Sequence, residues 1–470
     1  MKAASCILGV FACLLSCVRA DDSVWRIDTT EEWKAAADTN LVAVTITDGQ
    51  ARSTEKVSVF RSPVRTFPEK RKAKKITLRQ SVVWDNWREI DKVSLPEMAD
   101  ALIFLPEKPG SYWMLGRFGP DLKRKKGEKY NPRPQDLPGS IFAYHAWHST
   151  DMKTWKHCGP VSDNRGAWMT TAEYADGKYY LYYDKPNDQD PHLIVDNDLG
   201  DGEMGIDHGL VFDDPTNGSD CGVLRDEDGR FHLIFEDWSY NNAKTHAWDS
   251  PVAGHAVSPD GISAFHRVGN AVDERTKPTG KTGEFVHSSS DTPLTYEIHK
   301  PEQNAYGDWT AVKVGGQYYL FCDYDPVGKH IRVGRFTSAG IDKPFRFCGS
   351  FGHGHPDPSV GFAEGQFYLV QQQGKVDFVS PGPWVPGVEV RVGVDNSGDG
   401  KIDQWTDWET VAEIYKQKPG FARIVDTKPA QLDIGELPSG TGFAFEYRTQ
   451  EVEDTEAKVW MESVEITFAR

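Results

Sequence analysis

Four aspartates stand at matching places in a repeated hairpin. Asp100, Asp220, Asp308 and Asp357 each precede, by eight to ten residues, a glycine that opens a run of aromatic, aromatic, aliphatic. The runs are Gly110-Ser-Tyr-Trp-Met-Leu, Gly229-Arg-Phe-His-Leu-Ile, Gly316-Gln-Tyr-Tyr-Leu-Phe and Gly365-Gln-Phe-Tyr-Leu-Val. A further copy, Gly177-Lys-Tyr-Tyr-Leu-Tyr, has no acid ahead of it. Carboxylates gathered at one point raise one another's pKa, so one can keep its proton while its neighbours stay ionised. A base and an acid side by side are what general acid–base chemistry requires.

The elements that carry these residues are short strands. Asp220 to Phe235 reads as an acid opening an apolar strand, an Asp/Gly turn, and an aromatic strand returning. Such a sentence repeated every ~50 to 90 residues in an all-β context predicts the blades of a propeller, four strands each with loop insertions. The first strand of every blade lines the central channel, so acids at one end of those strands converge. Strand-initial aspartates also cap turns between blades, which is the competing reading. Ser149-Thr-Asp-Met-Lys-Thr-Trp155, Ser258-Pro-Asp260 and Ser290-Asp291 supply outer-strand cues.

Composition sets the class. With 470 residues, 12% aromatic and 39% hydrophobic, the chain can bury large cores and is expected to fold as two to three domains. Fifteen tryptophans, 43 glycines and 28 prolines suit short strands and tight turns. Only Thr30 to Ala37 and Trp408 to Gln417 look competent to form helix.

Residues 1–20 read as a secretory leader: Lys2, an apolar run to Val18, then Val18-Arg19-Ala20 before Asp21. Leu14-Leu15-Ser16-Cys17 offers an alternative, a lipoprotein box that would anchor the protein at Cys17. The expectation is a secreted or periplasmic protein with no transmembrane segment. Net charge is −17, two units more negative without Lys2 and Arg19, which argues against nucleic acid as partner. Outside the leader remain Cys158, Cys221, Cys322 and Cys348, either paired or buried as thiols.

The chain divides into a β segment at 21–94, the propeller at 95–373, and a β-sandwich at 388–470 whose partner is the repeat-free N-terminal segment. The Pro381-Gly-Pro-Trp-Val-Pro-Gly387 linker marks the last boundary. The Lys70 to Lys75 basic run reads as a solvated loop tip.

The Asp…Gly-x-Tyr-Tyr-Leu hairpins and the Ser149 to Trp155 outer strand resemble the five-bladed propeller glycosidases of glycoside hydrolase family 43 and relatives, including family 117. The resemblance implies an aspartate base on the first blade, an aspartate that tunes pKa on the third, and an acid on the fourth. By position these fall on Asp100, Asp220 and Asp308. The family's acid is a glutamate before Gly or Ala and Pro, whereas this chain has Asp308-Trp309-Thr310. Glu302 and His355 therefore compete with Asp308, and His355 could instead serve a central calcium.

Glycosidic hydrolysis with inversion needs two carboxyls about 6.5–9.5 Å apart, one activating water and one donating a proton. Sugar faces stack on aromatic rings, which makes Trp168 and Trp309 substrate-binding candidates alongside His355 and Glu302. His192 and Glu173 could bind hydroxyls or serve only as loop and strand-surface residues. Asp395, Ser397, Asp399, Lys401 and Asp403, with Gly400 at the sixth position, have the spacing of a calcium loop, or of an ordinary Asp/Gly turn.

The expectation is thus an exported all-β glycosidase acting on plant or algal oligosaccharides, needing no cofactor for chemistry, with calcium as an accessory ion. A non-catalytic carbohydrate-binding propeller is the rival, and a sugar lyase a third reading.

Overall fold

The computed structural model describes residues 23–37, 41–84, 86–88, 90, 95, 98–118, 143–162, 168–186, 189–214, 216, 218–238, 250, 252–273, 276, 305–325, 331–352, 357–371, 378–383, 387–451 and 458–469. The leader with Cys17, and residues Glu302 and His355, lie outside them. Almost everything described is strand, turn or bend, and the one α-helix is Thr30–Ala35, closed at its start by a Thr29–Glu32 capping box. The helix expected over Trp408 to Gln417 is absent: Glu409–Val411 and Ile414–Gln417 are strands, paired to neighbours that an isolated segment does not have. No described helix is long and apolar enough to cross a membrane.

Five antiparallel sheets follow one another along the chain, each paired in sequence order. The first is Met98–Lys108, Ser111–Phe118, Tyr144–Ser149 and Lys156–Pro160; the second is Trp168–Ala175, Lys178–Asp184, Pro191–Asp196 and Ile206–Leu210. The third is Gly222–Arg225, Phe231–Glu236, Ala253–Ser258 and His266–Val272; the fourth is Ala305–Val314, Gln317–Asp325, Arg332–Ser338 and Arg346–Phe351. The fifth has three strands, Ser359–Ala363, Gln366–Gln371 and Phe378–Pro381.

The repeated glycines do the turning. Asp176-Gly177 and Glu364-Gly365 both have two successive positive φ angles, 53° and 80°, then 48° and 76°, the geometry of a tight primed hairpin turn. In the fourth hairpin the positive φ falls on Gly315, one residue before the glycine aligned by sequence.

Burial arranges the five sheets in a cycle. Leu105 and Leu115 of the first sheet pack with Ala172 and Leu181 of the second, and Tyr182 of the second with Phe235 of the third. Ile234 of the third packs with Tyr306 of the fourth, Phe321 of the fourth with Leu369 of the fifth, and Val370 of the fifth with Phe104 of the first. The first strands neighbour one another in the same order, the fifth returning to the first.

The two ends of the chain share two further sheets. Val24–Ile27, Gln50–Ser53, Ala73–Ser81 and Ala430–Asp433 join Trp460–Phe468 in one; Val59–Arg61 and Arg65–Arg71 flank Gly440–Thr449, which pairs with Val388–Asp395, in the other. Their inner faces meet over Val390, Val392, Phe443, Phe445, Ile76 and Ile466, all fully buried. The basic run from Lys70 lies mostly in two adjoining strands.

A segment between these parts reaches back. Ile424–Lys428 runs parallel to Ala305–Val314 and extends the fourth sheet. It brings Arg423, 2% exposed, into the middle of the ring, where the guanidinium donates to the carbonyls of Ala172 and Val360 and to Thr310 Oγ1. One side chain thus joins first strands of the second, fourth and fifth sheets. Glu173 lies beside it, 1% exposed, 4.0 Å from Arg423 Nε and accepting the Tyr174 and Arg225 amides. Glu173 is thus a buried structural acid rather than a strand-surface residue.

Candidate active site

Asp220, Asp308 and Asp357 occupy one position in three sheets. Each lies two residues before a strand residue that pairs far along the second strand: Gly222 opposite Ile234, Thr310 opposite Phe321, Ser359 opposite Val370. All three adopt left-handed backbone, with φ of 48°, 53° and 35°. Aspartate tolerates this region better than most residues, but the conformation still needs support.

The support is a second acid. The Asp220 amide donates to Asp184 Oδ2 at 3.0 Å, the Asp308 amide to Glu236 Oε1 at 3.2 Å, and the Asp357 amide to Asp323 Oδ1 at 2.9 Å. Asp184, Glu236 and Asp323 are buried, and each lies at or near the end of the second strand of the preceding sheet. Each sheet therefore sets the head of the next. Each of these acids stands seven residues after its hairpin glycine, a regularity present in the sequence. At the same offset the first repeat has Arg117.

Heads from four sheets surround one opening, lined by Ile103, Trp168, Thr170, Thr171, Asp308, Thr310, Asp357 and Ser359. In the second sheet, where the sequence has no acid, Met169-Thr170-Thr171 forms the wall. Carboxylate oxygens of Asp308, Asp323 and Asp357 all lie within 4.8 Å of one another. Three negative groups at that spacing need a proton or a cation among them. Burial, then the charges of Asp357, Asp220, Asp323 and Glu236, push the Asp308 carboxyl well above the usual carboxylate range. The upward shift favours the protonated form of Asp308, the form that can donate a proton.

The other expected residues fall as follows. Asp100 lies in Met98–Lys108 opposite Arg117, and its side chain is outside the described residues. Trp168 stands at the rim, partly exposed, with the Arg117 guanidinium 4.2 Å from its ring. Trp309 also belongs to the lining of the opening but is only 2% exposed, its ring 5.6 Å from Phe336 in the core between the third and fourth sheets. Asp308 and Trp309 sit in the irregularity between Gly307 and Thr310, where the regular alternation of the strand is broken. His192 packs on Tyr183 in the third strand of the second sheet. Cys158, Cys221, Cys322 and Cys348 are all free thiols.

The Asp395–Asp403 loop is a turn held by its own carboxylates. Asp395 accepts the Gly398 and Gly400 amides, Asp403 those of Asn396 and Ser397, and Asp399 that of Lys401. Among the described residues, the acids that converge tightly enough to share an ion are Asp308, Asp323 and Asp357, and this loop forms no such group.

No protein-family model matches the chain, and no curated protein matches it. Among solved structures the chain is similar to an endo-arabinase from Bacteroides thetaiotaomicron, at 10% identity over 63% of this chain and 98% of that one, with a TM-score of 0.42. It is also similar to an α-L-arabinofuranosidase from Clostridium thermocellum, at 15% identity over 72% and 97% of the two chains, TM-score 0.38. An exo-1,5-α-L-arabinanase from a bovine ruminal metagenomic library matches at 14% identity over 62% and 94%, TM-score 0.40.

Proposed function

We propose that this chain is an exported glycoside hydrolase whose five consecutive sheets are the blades of a propeller, with an accessory β-sandwich made by the two chain ends. The observation that carries the reading is that Asp220, Asp308 and Asp357 are held in one conformation by one repeated clamp, and that Asp308 and Asp357 line a single opening. A capping role alone would not require a second buried acid behind each head, nor bring three carboxylates together.

In this reading Asp308 is the general acid and protonates the leaving oxygen. Its proton is retained because burial and the neighbouring carboxylates disfavour the anion. Asp220 is one of those neighbours and sets the Asp308 pKa. Asp100, on the first strand of the first sheet, is the base that activates water. Acids on different strands of a channel can stand about 6.5–9.5 Å apart, the separation of inverting enzymes. Trp168 at the rim supplies a stacking face. The substrates are oligosaccharides of plant or algal polysaccharides, and no step uses calcium.

Incubation of the protein with arabinan, xylan and galactan oligomers tests the reading, with released sugars identified and their anomeric form followed by NMR. Release abolished by Asp308→Asn and by Asp100→Asn, with the product first appearing in the inverted anomer, is expected. Oligosaccharide binding with no release from any member of the panel would make the protein a carbohydrate-binding propeller.

A further inference from the structure

A second hollow lies where the terminal sheets meet the fourth sheet. It is open to solvent, holds about 260 Å3, and is walled on one side by Asp48, Gln50, Arg52, Ser81, Trp460 and Glu462, and on the other by Gln317, Tyr319, Arg335, Arg346 and Cys348. Ligand pockets favour the seams between folded units. No lining residue is shared with the opening at Asp308. Gln317 and Asp323 belong to one strand, six residues apart, so the two sites are separated by about 20 Å along it.

The chemistry of the walls is selective. Trp460 alternates with the buried Met461 and so stands on the outer face of its sheet, with the Arg52 guanidinium 4.2 Å from its ring. Arg52 is neutralised by Asp48, 3.0 Å away. Glu462 accepts the Ser81 hydroxyl at 2.5 Å, and burial raises its carboxyl above the ordinary range. Arg335 donates to the Cys348 carbonyl at 3.0 Å, which fixes the guanidinium in the wall. Arg346 is exposed and, among the described residues, has no carboxylate partner. On a chain with a net charge of −17, a hollow in which the uncompensated charge is arginine is an exception. Arginine matches planar anions, and the Gln50 and Gln317 amides and the Tyr319 hydroxyl suit sugar hydroxyls.

We propose that this seam is a second carbohydrate site, taking a saccharide unit that bears a carboxylate or a sulfate, with Arg346 meeting the anion and Trp460 the ring. The word saccharide rests on the function proposed above; the demand for an anion comes from the hollow itself. An acidic sugar held here would keep a charged polysaccharide on the enzyme while another part of the chain enters the opening.

Calorimetric titration of the full chain tests the site, with an oligogalacturonide, a sulfated galactan oligosaccharide and neutral xylotriose as probes. At least one anionic probe should bind, more weakly as salt is raised. Arg346→Glu, a surface change, should weaken that binding by about tenfold or more. Trp460→Ala should weaken it as well, whereas Asp308→Asn should leave it unchanged. Comparing the carboxylated with the sulfated probe decides which anion is meant. Failure of both anionic probes to bind, or a dissociation constant unmoved by Arg346→Glu, would overturn the proposal. Anionic binding lost on Asp308→Asn and kept by Arg346→Glu would place the ligand in the opening, which also overturns it. Because the readout is binding at the seam, a protein that hydrolyses nothing can still pass, and an active one can still fail.

Discussion

Glu236 Oε1 accepts the backbone amide of Asp308 at 3.2 Å, so the end of one strand in the third sheet dictates the posture of the acid in the fourth. Asp308 holds a left-handed φ of 53°, and the bond opposes its return to extended backbone. Replacing Glu236 with alanine removes the acceptor. A small misplacement of a reacting group costs catalysis heavily, so kcat should fall by about 10²-fold with KM little changed. Glu236→Gln keeps an acceptor oxygen and should recover most of the loss. Steady-state kinetics of both variants, with thermal melts alongside, check this; equal defects in the two would remove the clamp from the explanation.

The pH profile should report the crowd around Asp308. In the proposed role of general acid Asp308 works protonated, so activity is expected at low pH and is expected to be lost as pH rises through its raised pKa. The Asp220 charge is among the causes of that raised value. Asp220→Asn removes the charge, lowers the Asp308 pKa, and should move the basic limb of kcat toward lower pH. A limb that stays in place, or moves upward, would contradict the assignment of Asp308.

Arg423 should be among the least replaceable residues for stability. It is fully enclosed, and its guanidinium serves the second, fourth and fifth sheets together with Glu173. Arg423→Ala strands the Ala172 and Val360 carbonyls and leaves Glu173 without its nearest cation, a loss of about 3–5 kcal/mol. Denaturant unfolding measures it. Arg423→Met should be nearly as damaging, since volume without donors leaves the same polar groups unpaired.

Glu413 gives a stability test with a definite sign. It is 9% exposed, accepts the Gln80 amide and the Tyr415 hydroxyl, and burial raises its pKa from 4.5 to about 7. A carboxyl raised on folding favours the native state below its unfolded pKa, and that contribution is lost as pH rises toward 7. Glu413→Gln is permanently neutral and should unfold later than the parent at pH 8 by on the order of 1–3 kcal/mol. Below pH 4.5 the two should melt alike. Melting curves at the two pH values decide it.

The repeated hairpins were legible because strand alternation and turn chemistry are local: a glycine that must take positive φ, and aromatic residues that fit a pleated surface, declare themselves within ten residues. The head aspartates were legible for the same reason. Asp184, Glu236 and Asp323 are equally periodic, but an acid at a strand end resembles a solvated terminus until the next sheet brings an amide to it. Trp309 misled in the opposite direction. Adjacent to Asp308, it reads as a stacking face for a sugar, but its ring is packed into the core between two sheets. Trp408 to Gln417 has local helix propensity that strand pairing overrode.

By itself the sequence determined an acid-rich, all-β chain with a five-times repeated hairpin and aspartates at the heads of four copies. Those features follow from composition and from contacts within a single hairpin. Tertiary structure alone decided that Asp308 shares its space with Asp357 and Asp323, that Arg423 enters the ring from more than a hundred residues away, and that two chain ends and the fourth sheet enclose a cationic hollow. Proximity across sheets is set by which faces bury together, and a charge or a pKa takes its value from neighbours that lie far off along the chain.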